Sequence, residues 1–514
     1  MFLHLLTALS FGTPTFEADV LPIFNAHCLQ CHGGVHQRQG LDLRSHAALM
    51  QGSRNGDVVV AGKPEESLLW KKLHTDAMPK TDNKVAEKNK QIIRAWITAG
   101  AKATPRQAVR SLPARARPVS EVARRIDQQI DTTLREAKIP PSPRSSDAEY
   151  LRRISLDLTG KPPTPTAVTR FLASTEAEKR AETLEELLRS PEYGRNLAQR
   201  WIHLFSLTTV STRPPDPEPF IDWMGKELNE GKRWNRILYD ILTADGPLSE
   251  APQGLFYYYN TDMNGQITPK IVAGNIAQVL LGVQLQCAEC HNHPFTTHKQ
   301  TDFWSLAAFF GQTARLESVE NKMTRGVQEL HLRPKPGKKV NPLKEISISI
   351  PNDGEARNGG RKVPAALPDG SKWTVEPMKS HRVPFAEWLT GRENRTFARA
   401  TVNRLWAHFF GRGLVNPLND FADHNAPTHP ELLELLTDEF LASEFDHKHL
   451  IRCICTTQAY QRSMQVLPAN RDERAEVLYA RMGARGLTPE QYYDALCQAL
   501  EVPDLVPPPD PKVK

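Results

Sequence analysis

Apolar residues recur at helical spacing along most of the chain. In NKQIIRAWITAGA, Ile92, Ile93, Trp96 and Ile97 share one helical face, and Gly100 supplies the stop. PEESLLWKKL reads as a short helix with Pro64 at its start and Glu65 and Glu66 in its first turn. EADVLPIFNAHCLQCHG is helix-like up to Gly33. From Glu121 onward amphipathic patterns follow one another: YLRRISLDL closed by Gly160, AETLEELLRS, NLAQRWIHLFSL, FIDWMGKELNEGKRWNRILYDILT and PKIVAGNIAQVLLGVQLQ. After Pro384 they resume in FAEWLT, ATVNRLWAHFF and THPELLELLTDEFLAS. Ser146/Glu149, Thr428/Glu431 and Thr488/Gln491 have the spacing of capping boxes, the last with Pro489 at the first helical position. One segment breaks the helical period: in EISISI, Ile346, Ile348 and Ile350 alternate with polar residues as in a strand. The fold class expected is mainly α, a small helical N-terminal domain on a large helical body with a β-containing insert.

Punctuation between the patterns divides the chain. Residues 17–101 form one unit, with a turn-rich middle at Gly40, Gly52, Gly56 and Gly62. Residues 102–120, with Pro105, Pro113, Pro118 and several arginines, read as a linker. A helical domain is expected over 121–332, interrupted by RPPDPEPF. The insert covers 333–376, opening with the basic, turn-like RPKPGKKVNPLK. A C-terminal helical domain covers 377–500, and the proline-rich 501–514 reads as a disordered tail. The first 16 residues are a candidate signal peptide: Phe2–Leu9 is a short apolar run, with small residues at Ala8, Ser10 and Gly12 where a peptidase cuts. That run falls far short of the ~20 residues that span a bilayer. An exported protein of the periplasm or cell envelope, with no membrane span, is the expectation.

Composition narrows the function classes. Sixty-five basic against 59 acidic residues leave a net charge of +6 over 514 residues, without the clustered basic surface that marks a nucleic-acid binder. Forty prolines favour short elements joined by turns. Seven cysteines exclude a disulfide-built scaffold. Four of the seven lie in two copies of one pattern, Cys-x-x-Cys-His. Cys453, Cys455 and Cys497 read as small buried hydrophobes.

The first copy is Cys28-Leu29-Gln30-Cys31-His32. On a helix, Cys28, Cys31 and His32 stand at i, i+3 and i+4 and project to one face. That arrangement suits covalent haem c attachment, two thiols on the vinyl edge and an imidazole toward the iron. Met78, in Asp76-Ala77-Met78-Pro79, follows on a polar loop and is the candidate distal ligand, with His74 in reserve. A methionine opposite histidine raises the potential and suits electron transfer. The second copy is Cys287-Ala288-Glu289-Cys290-His291, and it implies a second haem. Its distal ligand stays open among His203, His298, His408, His424 and His429, with Met323 the nearest methionine. Zinc competes at both motifs, drawing on His27, His36 and His46 around the first and on His293 and His298 around the second. A thioredoxin-like dithiol would need a βαβ context that is absent. There is no Gly-rich phosphate loop, nucleophile elbow or HExxH motif.

The residues also carry a resemblance. VLPIFNAHCLQCHGG, GKPEESLLWKKL, the Met78-Pro79 pair and IIRAWITAGA resemble the planctomycete-type cytochrome c domain. EYLRRISLDLTGKPPTPTAVTRFLAS, LLRSPEYGRNLAQRWIHLF and LLGVQLQCAECHNHPFTTHKQTDFWSLAAFF are similar to the large domain of unknown function that accompanies it. FAEWLTGRENRTFARATVNRLWAHFFGRGLVNPLNDFADHNAPTHPELLELL is similar to the second such domain. The resemblance implies a haem-bearing exported protein of class I-like cytochrome fold. It also implies haem attachment at Cys28, Cys31 and His32, with Met78 distal, and the second attachment at Cys287, Cys290 and His291. It implies no settled reaction or substrate. Two departures stand out: Lys80 follows Pro79 where relatives often have a second proline, and relatives usually continue past this C-terminus. The reading is a di-haem electron-transfer protein that serves a redox partner protein. Two rivals remain: a haem-dependent, peroxidase-like oxidoreductase with an open second haem, and a mono-haem scaffold whose second motif binds zinc or is idle.

Overall fold

The computed structural model describes residues 14–33, 37–81, 83–103, 115–206, 215–294, 296–316, 325–330, 346–351, 360–374, 379–422 and 424–502. The signal segment before residue 14, the linker centre at 104–114, the basic run 333–344 and the tail beyond 502 lie outside the described residues, as do His36 and Met323. The fold is mainly helical with small antiparallel sheets, as the apolar periodicity predicts. Among the described residues no helix is long and apolar enough to cross a membrane.

The chain forms two compact units. The first comprises Met1–Ser111, Val283–Trp304 and Phe421–Ala426; the second comprises Leu112–Gly282, Ser305–Asp420 and Pro427–Lys514. The second Cys-x-x-Cys-His, expected on the helical body, therefore lies in the same unit as the first.

In the first unit, short helices Leu21–His27, Leu29–His32, Leu68–His74 and Glu87–Thr98 surround a core that includes Phe16, Phe24, Trp70, Ile93, Trp96 and Ile97. Burying such large apolar side chains contributes roughly 1.5–3 kcal/mol each. The rings of Phe16 and Phe24 meet edge-on at 6.0 Å, and Trp96 Nε1 donates to Lys102 O at 2.8 Å, tying down the chain after the Glu87–Thr98 helix. The Glu87–Thr98 helix buries Ile93, Trp96 and Ile97, the face that its periodicity predicts.

In the second unit, the Pro191–Phe205 and Glu218–Asn229 helices approach most closely at Gly194, where an added Cβ would sit 2.1 Å from Gly225 O. Only glycine permits that crossing. Trp201 and Trp234 pack at 4.3 Å, and Trp406 stacks on Phe410 at 4.2 Å. The strand-like run Ser347–Ser349 pairs antiparallel with Lys362–Pro364, in the insert where it is expected. A second sheet has no counterpart in the sequence pattern: Gly246–Pro247 and Thr313–Arg315 flank Gly326–Glu329, all antiparallel. It ends on a fully buried ion pair, Glu329 Oε1 with Arg382 Nε at 2.6 Å, and Arg382 also donates to Ala244 O at 2.8 Å.

The predicted caps divide three ways. Thr488 and Gln491 make both bonds of a capping box. Ser146 accepts from Glu149 N–H, but the Glu149 carboxylate turns to Arg153 and Ser463, so that box is half formed. Thr428 does not cap: its N–H and hydroxyl both bond to Leu414 O, and the Pro430–Ala442 helix starts after His429 without a side-chain cap. Competition for the threonine's hydrogen bonds decided that position. Cys453, Cys455 and Cys497 are buried, as expected of small hydrophobes.

Candidate functional site

The first motif sits where two short helices meet. Leu21–His27 ends at Cys28, whose φ of −124° and ψ of −35° break the helix, and Leu29–His32 continues from there. The single continuous helix of the sequence reading is therefore kinked at its first cysteine. One turn is kept: the N–H groups of Cys31 and His32 both donate to Cys28 O, at 3.1 and 3.0 Å. That turn is enough to put both thiols and the imidazole on one face.

They open into a cavity of about 940 Å³, at the upper end of ordinary ligand sites. Leu41, Leu43, Val58, Leu69 and Leu73 supply its apolar wall, and Met78 closes the lining with the motif. Backbone bonds place that methionine. Met78 N–H donates to Lys72 O at 3.1 Å, and Lys84 Nζ reaches Asp76 O and Pro79 O at 3.2 and 2.6 Å. The reserve ligand His74 instead stacks on Trp70, with centroids 5.2 Å apart.

Burial governs the electrostatics here. It pushes the Cys28 thiol up to about 12, with Cys31 adding to the effect, so the thiol is neutral at physiological pH. It also lowers the His32 pKa, against the raising influence of the Arg38 backbone. His32 Nδ1 and both amide atoms of Asn25 are buried and lack hydrogen-bond partners. The neutral imidazole, the paired thiols, the thioether and the apolar walls suit a haem c, and the unpartnered polar atoms at the same cavity fit a ligand that completes them.

The second motif is differently housed. The chain leaves the preceding helical stretch at Gly282, with φ +69°, before the motif starts. Gln286–Glu289 forms a tight single turn, and Cys287, Cys290 and His291 are all exposed. The following helix Gln300–Ala308 grips it: Gln300 Nε2 donates to Cys290 O at 3.1 Å and Trp304 Nε1 to Glu289 O at 2.9 Å. His293 is buried, a role the sequence reading gave only to a zinc alternative. Burial first, and then His298, His424, His291 and Arg44, lower its pKa to about 4. His298 and His424 thus lie in the first unit near the second motif, whereas His203, His408 and His429 belong to the second unit. His203 bonds to Glu490 there, and His408 to Asp157 O. Among the described residues no group of three or more His, Cys, Asp or Glu side chains converges to hold a metal ion. His46, one of its proposed ligands, bonds to Ala101 O inside the aromatic core.

Three family models match the chain. Planctomycete cytochrome C matches residues 28–82, which span the first motif and Met78. A protein of unknown function (DUF1549) matches 125–315, including the second motif, and another (DUF1553) matches 381–507. No curated protein and no solved structure matches.

Proposed function

For a chain with an N-terminal planctomycete cytochrome C domain followed by DUF1549 and DUF1553 domains, we propose a haem c electron-transfer protein of the cell envelope that serves a redox partner protein. The observation that carries this reading is the cavity that Cys28, Cys31, His32 and Met78 line together. Cys28 and Cys31 would hold haem covalently, and His32 and Met78 would supply ligands to its iron. The bound group supplies one-electron chemistry. The protein's own part is to line the site with the leucine and valine wall, to keep His32 neutral by burial, and to fix Met78 through its N–H bond to Lys72 O and the Lys84 ammonium on Asp76 O and Pro79 O. A thioether ligand beside an apolar wall would favour the reduced state and so raise the potential.

A second haem on Cys287, Cys290 and His291 extends the proposal. The repeated attachment pattern supports it, as does its place in the same unit as the first motif. The exposure of those residues points to a solvent-facing centre.

Expression in a host that matures cytochromes c, followed by intact mass and the reduced spectrum, tests both statements. Two covalent haems are expected, and none at the first motif would end the proposal. Met78→Ala should keep the covalent haem and lower the first centre's potential by on the order of 0.1 V, within the ~0.8 V span that axial ligands command. An unchanged potential would remove Met78 as the ligand.

A further inference from the structure

The loop after the second motif closes the wall of the first cavity. Pro294 is part of its lining, alongside the residues of the first motif. Its carbonyl packs so tightly on the chain after His32 that a Cβ at Gly33 would lie 2.7 Å from Pro294 O. One side chain ties the loop in place. Arg44 is 8% exposed, and its NH1 donates to His293 O at 3.2 Å and to Thr296 O at 2.8 Å. The rest of the guanidinium is held by Asp42, through Nε at 3.0 Å and NH2 at 2.8 Å. The loop is closed on itself by His293 N–H to His298 O at 2.8 Å and by Thr296 N–H to His293 Nδ1 at 3.1 Å. Two backbone carbonyls are thereby presented to one planar, pre-oriented donor.

A buried guanidinium with a carboxylate on one edge and two carbonyls on the other is a costly arrangement to build for packing alone. Its geometric effect is specific: it fixes which part of the second motif's segment faces the first cavity. We propose that Asp42 and Arg44 are positioning residues that, through His293 O and Thr296 O, hold Pro294 in the wall of the first haem cavity. The second motif's segment thereby controls solvent access to the first centre. This rests on the haem proposed at Cys28 and Cys31, and it stands whether or not the second motif carries a haem of its own. Loosening the wall admits water, which stabilises the more charged oxidised centre and lowers its potential.

The test uses the full-length, haem-loaded protein. In Arg44→Ala, covalent haem at the first motif should be retained. Amide exchange over 293–298 should quicken at least tenfold, and the first centre's potential should shift downward. Arg44→Lys keeps the charge but cannot bridge a carboxylate and two carbonyls, so it should restore only part of both effects. If Arg44→Ala fails to mature, Arg44→Lys and Asp42→Asn carry the same readouts. Repeating the measurement in a Cys287→Ser/Cys290→Ser background separates the wall from a second haem. A shift that persists there supports the wall, and a shift that vanishes there overturns it. Faster exchange with an unchanged potential would reduce Arg44 to a structural latch and overturn the proposal as well. A failed second haem would show separately, as a single haem in the parent protein.

Discussion

The two units fill their interiors in different ways. The first surrounds a cavity of about 940 Å³ with two thiols, an imidazole and a thioether, and leaves buried polar atoms unpartnered around it. The second fills its own centre: Trp201 on Trp234, Trp406 on Phe410, and the buried Arg382–Glu329 pair anchoring a small sheet. One interior gathers thiols, an imidazole and a thioether around a cavity; the other gathers aromatic packing and a buried ion pair. The two Cys-x-x-Cys-His motifs repeat the contrast at smaller scale, one enclosed and one exposed. Attachment chemistry is local to five residues, whereas redox character depends on what surrounds them.

Withholding haem is the strongest way to expose the difference. Cys28→Ser/Cys31→Ser should abolish the first unit's cooperative thermal transition while leaving that of the second in place, as read by calorimetry. A uniform loss in both units would erase the contrast. The second unit should respond to its own core instead. Glu329→Ala strands a fully buried guanidinium and should cost about 3–5 kcal/mol in denaturant unfolding of that unit. A cost below ~1 kcal/mol would show that the pair is dispensable.

Acid should distinguish the units next. Burial lowers His429 to about 4 and His447 to about 3, the latter ring packed between Trp234 and Phe440. Both are neutral when folded and take up a proton more readily when unfolded, near the ordinary ~6.5. Their contribution is therefore complete above pH ~6.5 and is lost as pH falls from there toward 4 and 3. The loss is on the order of 3 kcal/mol per histidine. Urea unfolding of the second unit at pH 7 and pH 5 should show about 2 kcal/mol of that loss per histidine, and His447→Phe should flatten the slope. The smallest effect is local: Thr488→Ala removes one capping box and should cost about 1 kcal/mol.

The legible parts of the molecule share a property: their signals are short-range. The 87–98 helix with its buried face, the Thr488 cap and the turn carrying Cys28, Cys31 and His32 each depend on residues within about four positions. The place of Met78 in the cavity lining agrees with its position before a proline on a polar loop. Features that depended on distant partners were not legible. Thr428 has the spacing of a cap, yet Leu414 O takes its hydrogen bonds. The sheet joins residues 246–247, 313–315 and 326–329, strands too short to show a period of two. Arg44 carries no signal in the sequence pattern; its partners lie 249 and 252 positions away.

The sequence by itself determined the mainly helical fold and the cytochrome c character of the N-terminal domain, because helix periodicity and the Cys-x-x-Cys-His pattern are written at fixed short spacings. Only the tertiary structure decided that the second motif's segment joins the first unit and that Pro294 lines the first cavity. Those outcomes are made of contacts across some 250 residues, such as Arg44 NH1 to His293 O and Thr296 O, and no local spacing encodes them.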